Sequence, residues 1–218
     1  QAKLEEAGLS PLLAAVLSAR GIRTFDQARR LLAPEEEPLL DPMGLKDMDR
    51  AVDRLRLALE RRERIAVYGD YDVDGITSTC LLTQCLQNMG GDVIPYIPGR
   101  LEEGYGLNRE AISLLAGQGV SLLVTVDCGI TAVGEVEYAK SLGVDVVITD
   151  HHACKEALPG AAAVVDPHRP DCPYPFKGLA GVGVALKLAM ATAGPEEADA
   201  VFQEFRARAA VGTVADVL

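Results

Sequence analysis

From residue 65 onward, short apolar runs alternate with longer stretches whose apolar positions recur at helical spacing. Each short run is predicted to be a buried strand, and these runs cover residues 65–68, 93–97, 122–126 and 144–149. Helices are predicted at residues 76–89, 109–116, 132–142 and 184–193. Because strands and helices alternate, we expect an α/β fold, with a mostly parallel sheet flanked by helices on both faces.

The first 45 residues lack this alternation and are predicted to be a helical N-terminal extension that ends in a linker. Apolar residues dominate from Leu4 to position 20, which predicts one helix ending at Gly21. A second helix is predicted to begin at Thr24 and to stop by Pro34, because threonine favours helix starts and proline ends helices.

The remaining residues, 46–218, are predicted to form one larger domain. A helix is expected to begin near Asp47, since apolar side chains then recur at helical spacing. At the far end, the pattern predicts a helix over residues 196–208 and a short strand over residues 210–214.

The overall composition is that of a folded protein, because 49% of the 218 residues are hydrophobic. The charge is uneven: residues 1–64 are neutral, and residues 65–218, with 9 Lys+Arg and 20 Asp+Glu, carry the net charge of −11. Such an acidic domain binds nucleic acid poorly by itself, but two divalent cations would reverse the charge locally. A merely soluble acidic surface is the alternative.

The cysteines and the hydropathy pattern bear on location. There are five cysteines, an odd number without a CxxC pair, which indicates a reducing, cytoplasmic setting. Cys80 and Cys85 lie in an apolar helical run, where buried thiols are expected. No run reaches the ~18 apolar residues that a membrane-spanning helix needs, and no signal-peptide pattern is visible at the start.

Three carboxylates follow the first predicted strand at every second position: Asp70, Asp72 and Asp74. Alternate residues of an extended segment point the same way, so these acids repel one another unless a cation lies among them. The same spacing opens an EF-hand calcium loop, but that loop needs a glutamate at its twelfth position, where this chain has Leu81. A metal site is therefore favoured over a calcium loop or an acidic surface loop.

Two further predicted strands end in candidate ligands. Asp127 closes the third, and Asp150, His151 and His152 close the fourth. Because parallel strands end at one edge of a sheet, we expect these side chains to lie near the first acidic cluster. Oxygen ligands with one or two imidazoles suit Mn²⁺, and Mg²⁺ less well. For Asp127 alone, a turn-capping role is the alternative.

Two glycine-rich stretches and one histidine give weaker indications of function than the acidic motifs do. In residues 178–185, glycines that enter a helix permit close approach either to a phosphate or to a neighbouring helix. In residues 98–108, Arg100 is a candidate phosphate contact and Tyr105 a candidate for stacking on a base, with ordinary loop surface as the alternative. His168 lies in a proline-rich loop and is expected not to be a ligand.

Taken in order, these motifs resemble those of the DHH phosphoesterase family. Residues 70–75 resemble its first motif, 126–129 its second, 150–152 its third and 178–185 its fourth. Residues 100–106 and 212–216 are similar to stretches of the RecJ branch, the single-strand-specific 5′→3′ DNA exonucleases.

The resemblance implies a function and a set of site residues. The reaction would be metal-dependent hydrolysis of single-stranded DNA with release of 5′-mononucleotides in DNA repair and recombination, with a single-strand-binding protein or a helicase as candidate partner. His152 and Asp127 would be catalytic, and Arg100 and Tyr105 would contact the substrate. Manganese, in two ions, or magnesium would be held by Asp70, Asp72, Asp74, Asp127, His151 and Asp216.

The chain departs from the family pattern in two respects. Many relatives carry a histidine where this chain has Tyr68, so one metal ion is expected to have a weaker set of ligands. RecJ-type proteins also carry a DHH-associated domain and an OB-like domain after the catalytic core, and these 218 residues contain neither, so the chain resembles a catalytic-core fragment.

Two other functions remain open. One is a DHH phosphoesterase for small substrates, such as pyrophosphate, cyclic dinucleotides or short oligoribonucleotides. The other is a non-catalytic scaffold for replication partners. A dinucleotide-binding dehydrogenase is disfavoured, because the glycine spacing of its phosphate loop is missing.

Overall fold

The computed structural model describes residues 1–33, 39–99, 104 and 106–217. The chain divides into two compact units, Gln1–Asp41 and Pro42–Leu218, four residues before the boundary predicted after residue 45. Residues 34–38, which belong to the predicted linker, lie outside the described residues.

The described part of the smaller unit contains α1 (Ala2–Glu6), α2 (Pro11–Ala19) and α3 (Phe25–Leu32). A helix ends just before Gly21, as predicted, but the apolar stretch from Leu4 holds two helices. Gly8 has a φ of 94°, and the side chain of Ser10 then accepts a hydrogen bond from the backbone of α2, which begins with a proline. α3 begins after Thr24, as predicted, with a capping box formed with Gln27.

The larger unit is built on a sheet whose strand order is β2-β1-β3-β4-β5, with every neighbouring pair parallel. The predicted α/β fold is confirmed. The strand β5 is missing from the prediction, because three residues starting with an alanine give too short an apolar signal. The strands are β1 (Arg64–Tyr68), β2 (Asp92–Tyr96), β3 (Val120–Val126), β4 (Asp145–Thr149) and β5 (Ala163–Val165).

Helices cover both faces of this sheet, as predicted. Ile65 and Val67 of β1 pack on one face with α4, α5, α8 and α9, and Ala66 and Tyr68 pack on the other with α6 and α7. The helices are α4 (Met48–Arg61), α5 (Val73–Asn88), α6 (Arg109–Gly117), α7 (Val133–Ser141), α8 (Gly181–Ala193) and α9 (Ala198–Ala215). A 3₁₀ turn, Pro42–Gly44, precedes α4.

The strand predicted over residues 210–214 is wrong, since these residues belong to α9. Gly212 lies where α9 crosses the two neighbouring helices, so close that a Cβ atom there would be 2.8 Å from Val182 Cγ1 of α8. This packing, together with the helix-favouring alanines around it, outweighs the β-branched residues of the segment. Among the described residues, no helix has the length and hydropathy required to cross a membrane.

The strand order places one crevice in the sheet. The chain goes from β1 outward to β2 and then returns to add β3 on the other side of β1. In parallel α/β sheets, ligands bind at such a switch point, outside the carboxyl ends of the two strands that flank it. The segments that follow β1 and β3 carry the first two acidic motifs.

Candidate metal centre

The first acidic motif lies where β1 turns into α5. Asp72 caps α5, and its Oδ1 accepts a hydrogen bond of 2.9 Å from the backbone N–H of Gly75. Asp70 and Asp74 are almost fully buried. Gly75 makes the turn possible, because a Cβ atom there would lie 2.5 Å from the backbone oxygen of Asp70. A strand precedes this loop, so it is not an EF-hand.

The start of α8 holds Asp74 in place. The backbone N–H of Gly181 donates to its Oδ2 at 2.7 Å, and that of Val182 donates to its Oδ1 at 2.8 Å. Burial raises the pKa of Asp74, and these two hydrogen bonds oppose the shift. The glycine-rich motif thus uses two of its N–H groups on a carboxylate of the protein itself, rather than on a phosphate.

Asp127 sits directly after β3 in a strained conformation, with a φ of 60° and 2% of its surface exposed. His151 Nε2 lies 3.0 Å from Asp127 Oδ1, yet the two atoms lack hydrogen-bond geometry, and Oδ1 has no donor among the described residues. Burial raises the pKa of Asp127 to about 7, the contact with His151 opposes the shift, and the nearby charge of Asp74 adds to it. Because buried polar atoms are nearly always partnered, an Asp127 oxygen without a hydrogen-bond donor indicates a place for a bound ligand such as a cation.

The third motif is a turn held by its own aspartate. Asp150 Oδ1 accepts hydrogen bonds from the backbone of His151 at 2.7 Å and of His152 at 3.1 Å, and lies 2.7 Å from His152 Nδ1. Its Oδ2 accepts from the backbone of Ile130 at 2.9 Å, which ties the turn to the loop after β3. This orienting role of Asp150 is absent from the sequence-based prediction.

The pairing of Asp150 with His152 also sets their charges. The hydrogen bond from Asp150 raises the pKa of His152 to about 9, although burial opposes the shift. Burial would raise the pKa of Asp150, but the hydrogen bond and charge of His152, together with the backbone hydrogen bonds from Ile130 and His152, outweigh burial and lower that pKa. His152 therefore carries a proton on Nδ1 toward Asp150 and keeps Nε2 as a second donor.

The residues that follow β5 support the turn formed by the third motif. Asp166, which is fully buried, accepts a hydrogen bond of 2.6 Å from the backbone of His168. His168 Nδ1 in turn lies 2.5 Å from the carbonyl oxygen of His151, and because a carbonyl only accepts, Nδ1 is the donor. His168 lies in a turn, which agrees with the predicted loop position.

The predicted ligands meet at the switch point. His151 Nε2 lies 3.8 Å from Asp74 Oδ2 and 3.8 Å from Asp216 Oδ2, which arrives from the end of α9. Three overlapping groups have ligand atoms within 4.8 Å of one another: Asp70, Asp72 and Asp127; Asp74, His151 and Asp216; Asp127, His151 and His152. The structure therefore gathers every residue that the sequence analysis assigned to the metals or to catalysis.

Tyr68, which stands where many relatives have a histidine, has a different role. Its hydroxyl donates to the carbonyl oxygen of Gly106 at 2.9 Å and accepts from Asn108 Nδ2 at 3.2 Å, and its ring stacks on Tyr96. It anchors the chain before α6. The predicted substrate contacts, Arg100 and Tyr105, lie outside the described residues.

The donor set fits divalent cations. Carboxylate oxygens with one or two imidazoles suit Mn²⁺ best among the common metals and also accept Mg²⁺. Asp127 belongs to two of the three groups, and one of its oxygens has no hydrogen-bond donor among the described residues, so a bound cation would offset the burial that raises its pKa.

Fold and site together define an α/β protein with an acidic metal centre at the switch point of a parallel sheet. The chain belongs to the DHH family: the family model described as "DHH family, N-terminal domain" matches residues 64–213.

Named relatives narrow the comparison. The chain is 46% identical over 214 residues to the "Single-stranded-DNA-specific exonuclease RecJ" of Bacillus subtilis, with 98% of this chain and 27% of that protein covered. It resembles a crystal structure of exonuclease RecJ bound to manganese, at 40% identity and a TM-score of 0.73 over 83% of this chain and 45% of that one. RecJ from Thermus thermophilus in complex with Mn²⁺ matches at 33% identity and a TM-score of 0.77, over 99% of this chain and 30% of that one. The chain thus spans less than half the length of each.

Proposed function

We propose that this chain is the catalytic core of a two-manganese phosphodiesterase that degrades single-stranded DNA from its 5′ end and releases 5′-mononucleotides, in DNA repair and recombination. The observation that carries the proposal is the meeting of acids and imidazoles from the ends of β1, β3, β4 and α9 around Asp127, whose buried Oδ1 has no hydrogen-bond donor among the described residues. The likeness to the RecJ exonucleases supports the choice of substrate.

The protein's own groups would position the metals. Asp70, Asp72, Asp74, Asp127, His151 and Asp216 would hold them, and the bound cations would supply a water of lowered pKa and a counter-charge for the phosphate. Asp127, in its left-handed backbone conformation, has its carboxylate close to His151 and to the first acidic motif.

The other groups would orient the reaction. The N-terminus of α8 fixes Asp74 from behind, which leaves the carboxylate little freedom to rotate away. His152, held through Nδ1 by Asp150, would donate through Nε2 to the negative charge that develops on the phosphate.

The first test replaces Asp127 by asparagine, a residue of the same shape that also tolerates a positive φ. We expect the variant to lose Mn²⁺-dependent release of mononucleotides from a labelled 20-nucleotide strand. Asp53→Asn, the same change at an exposed position of α4, is the matched control and should cut normally. Near-normal turnover by the Asp127 variant would refute the proposed centre.

The same assay separates the rival functions. Strands labelled at the 5′ or the 3′ end report the direction of degradation. Preferential hydrolysis of pyrophosphate, cyclic dinucleotides or very short oligoribonucleotides would assign the site to small substrates instead. A scaffold without activity would bind no Mn²⁺ in a titration, whereas we expect two ions per chain.

Location and partners are part of the proposal. Among the five cysteines none is paired, which supports a reducing, cytoplasmic setting. We further propose that a helicase or a single-strand-binding protein presents the strand. A pull-down with each purified partner, with and without a 20-nucleotide strand, tests this step.

A further inference from the structure

A cavity beside the metal centre has no assignment in the mechanism above. It has a volume of about 360 Å³, which falls within the ~300–1,000 Å³ typical of small-molecule pockets. Its apolar lining includes Leu107, Ile130 and Ala132, and Thr131 and His152 are among its polar groups. The cavity is therefore lined both by His152, the proposed phosphate donor, and by apolar side chains.

An arginine lies close to the part of the cavity wall that α7 supplies. Arg109 begins α6 and Glu135, which lines the cavity, lies in the first turn of α7. Both helices start from the carboxyl edge of the sheet. Arg109 Nη2 would lie 3.7 Å from a Cβ atom at Gly134, the neighbour of Glu135. The guanidinium therefore lies beside Gly134, which directly precedes Glu135 of the cavity wall.

The guanidinium of Arg109 is placed to meet an anion. Its central carbon lies 5.2 Å from the centre of the Tyr138 ring, which fixes its direction. It forms no ion pair with any carboxylate of the described residues. In a part of the chain that carries the whole net charge of −11, an arginine without an ion pair at the edge of the active site marks a place for negative charge.

The chain before Arg109 is held firmly. Asn108 Oδ1 caps α6 by accepting from the backbone of Ala111 at 2.7 Å, while its Nδ2 donates to the hydroxyl of Tyr68. That hydroxyl also binds the carbonyl oxygen of Gly106, which lines the cavity. The cavity wall and the start of α6 are thus tied to β1, the strand that delivers the first acidic motif.

We propose that this cavity seats the nucleoside next to the phosphate under attack, and that Arg109 binds the following phosphate of the strand. The inference rests on the proposed function and specifies how the strand leaves the metal centre. The cavity thus brings together a phosphate donor at His152, apolar side chains and, beside Glu135, the cation of Arg109, and a strand offers a phosphate, a nucleoside and a second phosphate to such groups. A base enters such a pocket only when it is unpaired and unstacked, so this pocket accounts for a preference for single strands.

The test measures binding separately from hydrolysis. A fluorescein-labelled 12-nucleotide deoxythymidine strand is titrated by anisotropy at several KCl concentrations, with every protein carrying Asp127→Asn to prevent cutting. Each phosphate contact to a single strand contributes about 0.7 to the slope of log affinity against log salt. Arg109→Gln should lower that slope by about 0.7.

Two further variants complete the binding test. Arg61→Gln removes an exposed arginine at the end of α4, on the amino side of the sheet, and should leave the slope unchanged. Thr131→Leu places bulk in the cavity from an exposed position and should weaken binding of the strand at every salt concentration.

Each outcome decides one point. An unchanged slope in Arg109→Gln, or an equal drop with a blunt 12-base-pair duplex, would overturn the role of Arg109. Normal affinity in Thr131→Leu would overturn the role of the cavity. Failure of the proposed function shows separately, as a chain with native Asp127 and Mn²⁺ that cleaves neither the strand nor bis(4-nitrophenyl) phosphate.

Discussion

Adding one methyl group at Gly181 should disable the metal centre without unfolding the protein. A Cβ atom at this position would lie 2.5 Å from Asp127 Oδ1 and 2.6 Å from Asp127 Cβ. Ordinary van der Waals contact begins near 3.4 Å, so the carboxylate or the first turn of α8 must move by about 0.9 Å. The same turn donates a hydrogen bond to Asp74, so the shift disturbs two proposed ligands at once.

The expected effect on activity of Gly181→Ala is large. A misplacement of about 1 Å at a reacting group costs on the order of 100-fold in rate. The clash also lowers stability, because overpacking a buried contact costs about 1–3 kcal/mol, whereas alanine exceeds glycine in helix propensity by only about 1 kcal/mol. We therefore expect a loss of about 100-fold in kcat for Mn²⁺-dependent hydrolysis, together with a free energy of unfolding in urea that falls by no more than about 2 kcal/mol and leaves the chain folded.

Gly183→Ala provides the matched control, because it adds the same methyl group two residues further along α8. There a Cβ atom would meet Leu179 Cδ2 at 3.1 Å, the far end of a flexible side chain that can rotate aside. Its activity should stay near that of the parent chain. If the two variants were equally active, the idea that glycine is needed for the approach of α8 to Asp127 would be wrong.

Three more predictions concern the surroundings of the centre. Asp150→Asn replaces an acceptor by a donor facing N–H groups, including that of Ile130, and should lower the free energy of unfolding by about 1–3 kcal/mol in urea titrations; an unchanged value would contradict this. His168→Ala removes one hydrogen bond and should slow hydrolysis up to about 10-fold. His168→Asn keeps a donor near the place of Nδ1 and should restore the rate, whereas equal rates in both variants would assign the contact no role. Iodoacetamide at pH 8 should label exposed Cys80 well before Cys85, because burial raises the pKa of Cys85 to about 11; peptide mass spectrometry reads the order, and equal labelling would contradict the buried site.

The sequence predicted the sheet wherever the strands were long enough to leave an apolar run. β1 to β4 were found within two residues of their ends, whereas β5 was missed because Ala163–Val165 has no periodicity to read. The thiol of Cys80 was expected to be buried and is exposed, because an apolar helical run does not reveal which face meets the core. At residues 210–214 the local pattern suits strand and helix alike, and only the contact of Gly212 with α5 and α8 decides.

For the candidate site, the order of the motifs along the strands was sufficient to name the acids and imidazoles. The contacts that orient them depend on residues far apart in the chain, which no local pattern reveals. Asp74 and Gly181 are 107 residues apart, and Ile130 and Asp150 are 20 apart. The support from His168 was invisible for the same reason, since it reaches the third motif from the unrecognised strand β5.

The acids of the centre come from segments as distant as Asp70 and Asp216, and only the finished fold crowds them together. The repulsion between acids of different segments is weak in the unfolded chain, where these segments are far apart, so it works against folding until a cation binds among them. A cation that binds only the native arrangement stabilises it in proportion to the logarithm of its free concentration. A bound cation therefore links the segment after β1 to the end of α9, and the melting temperature of the protein should rise with the free manganese concentration.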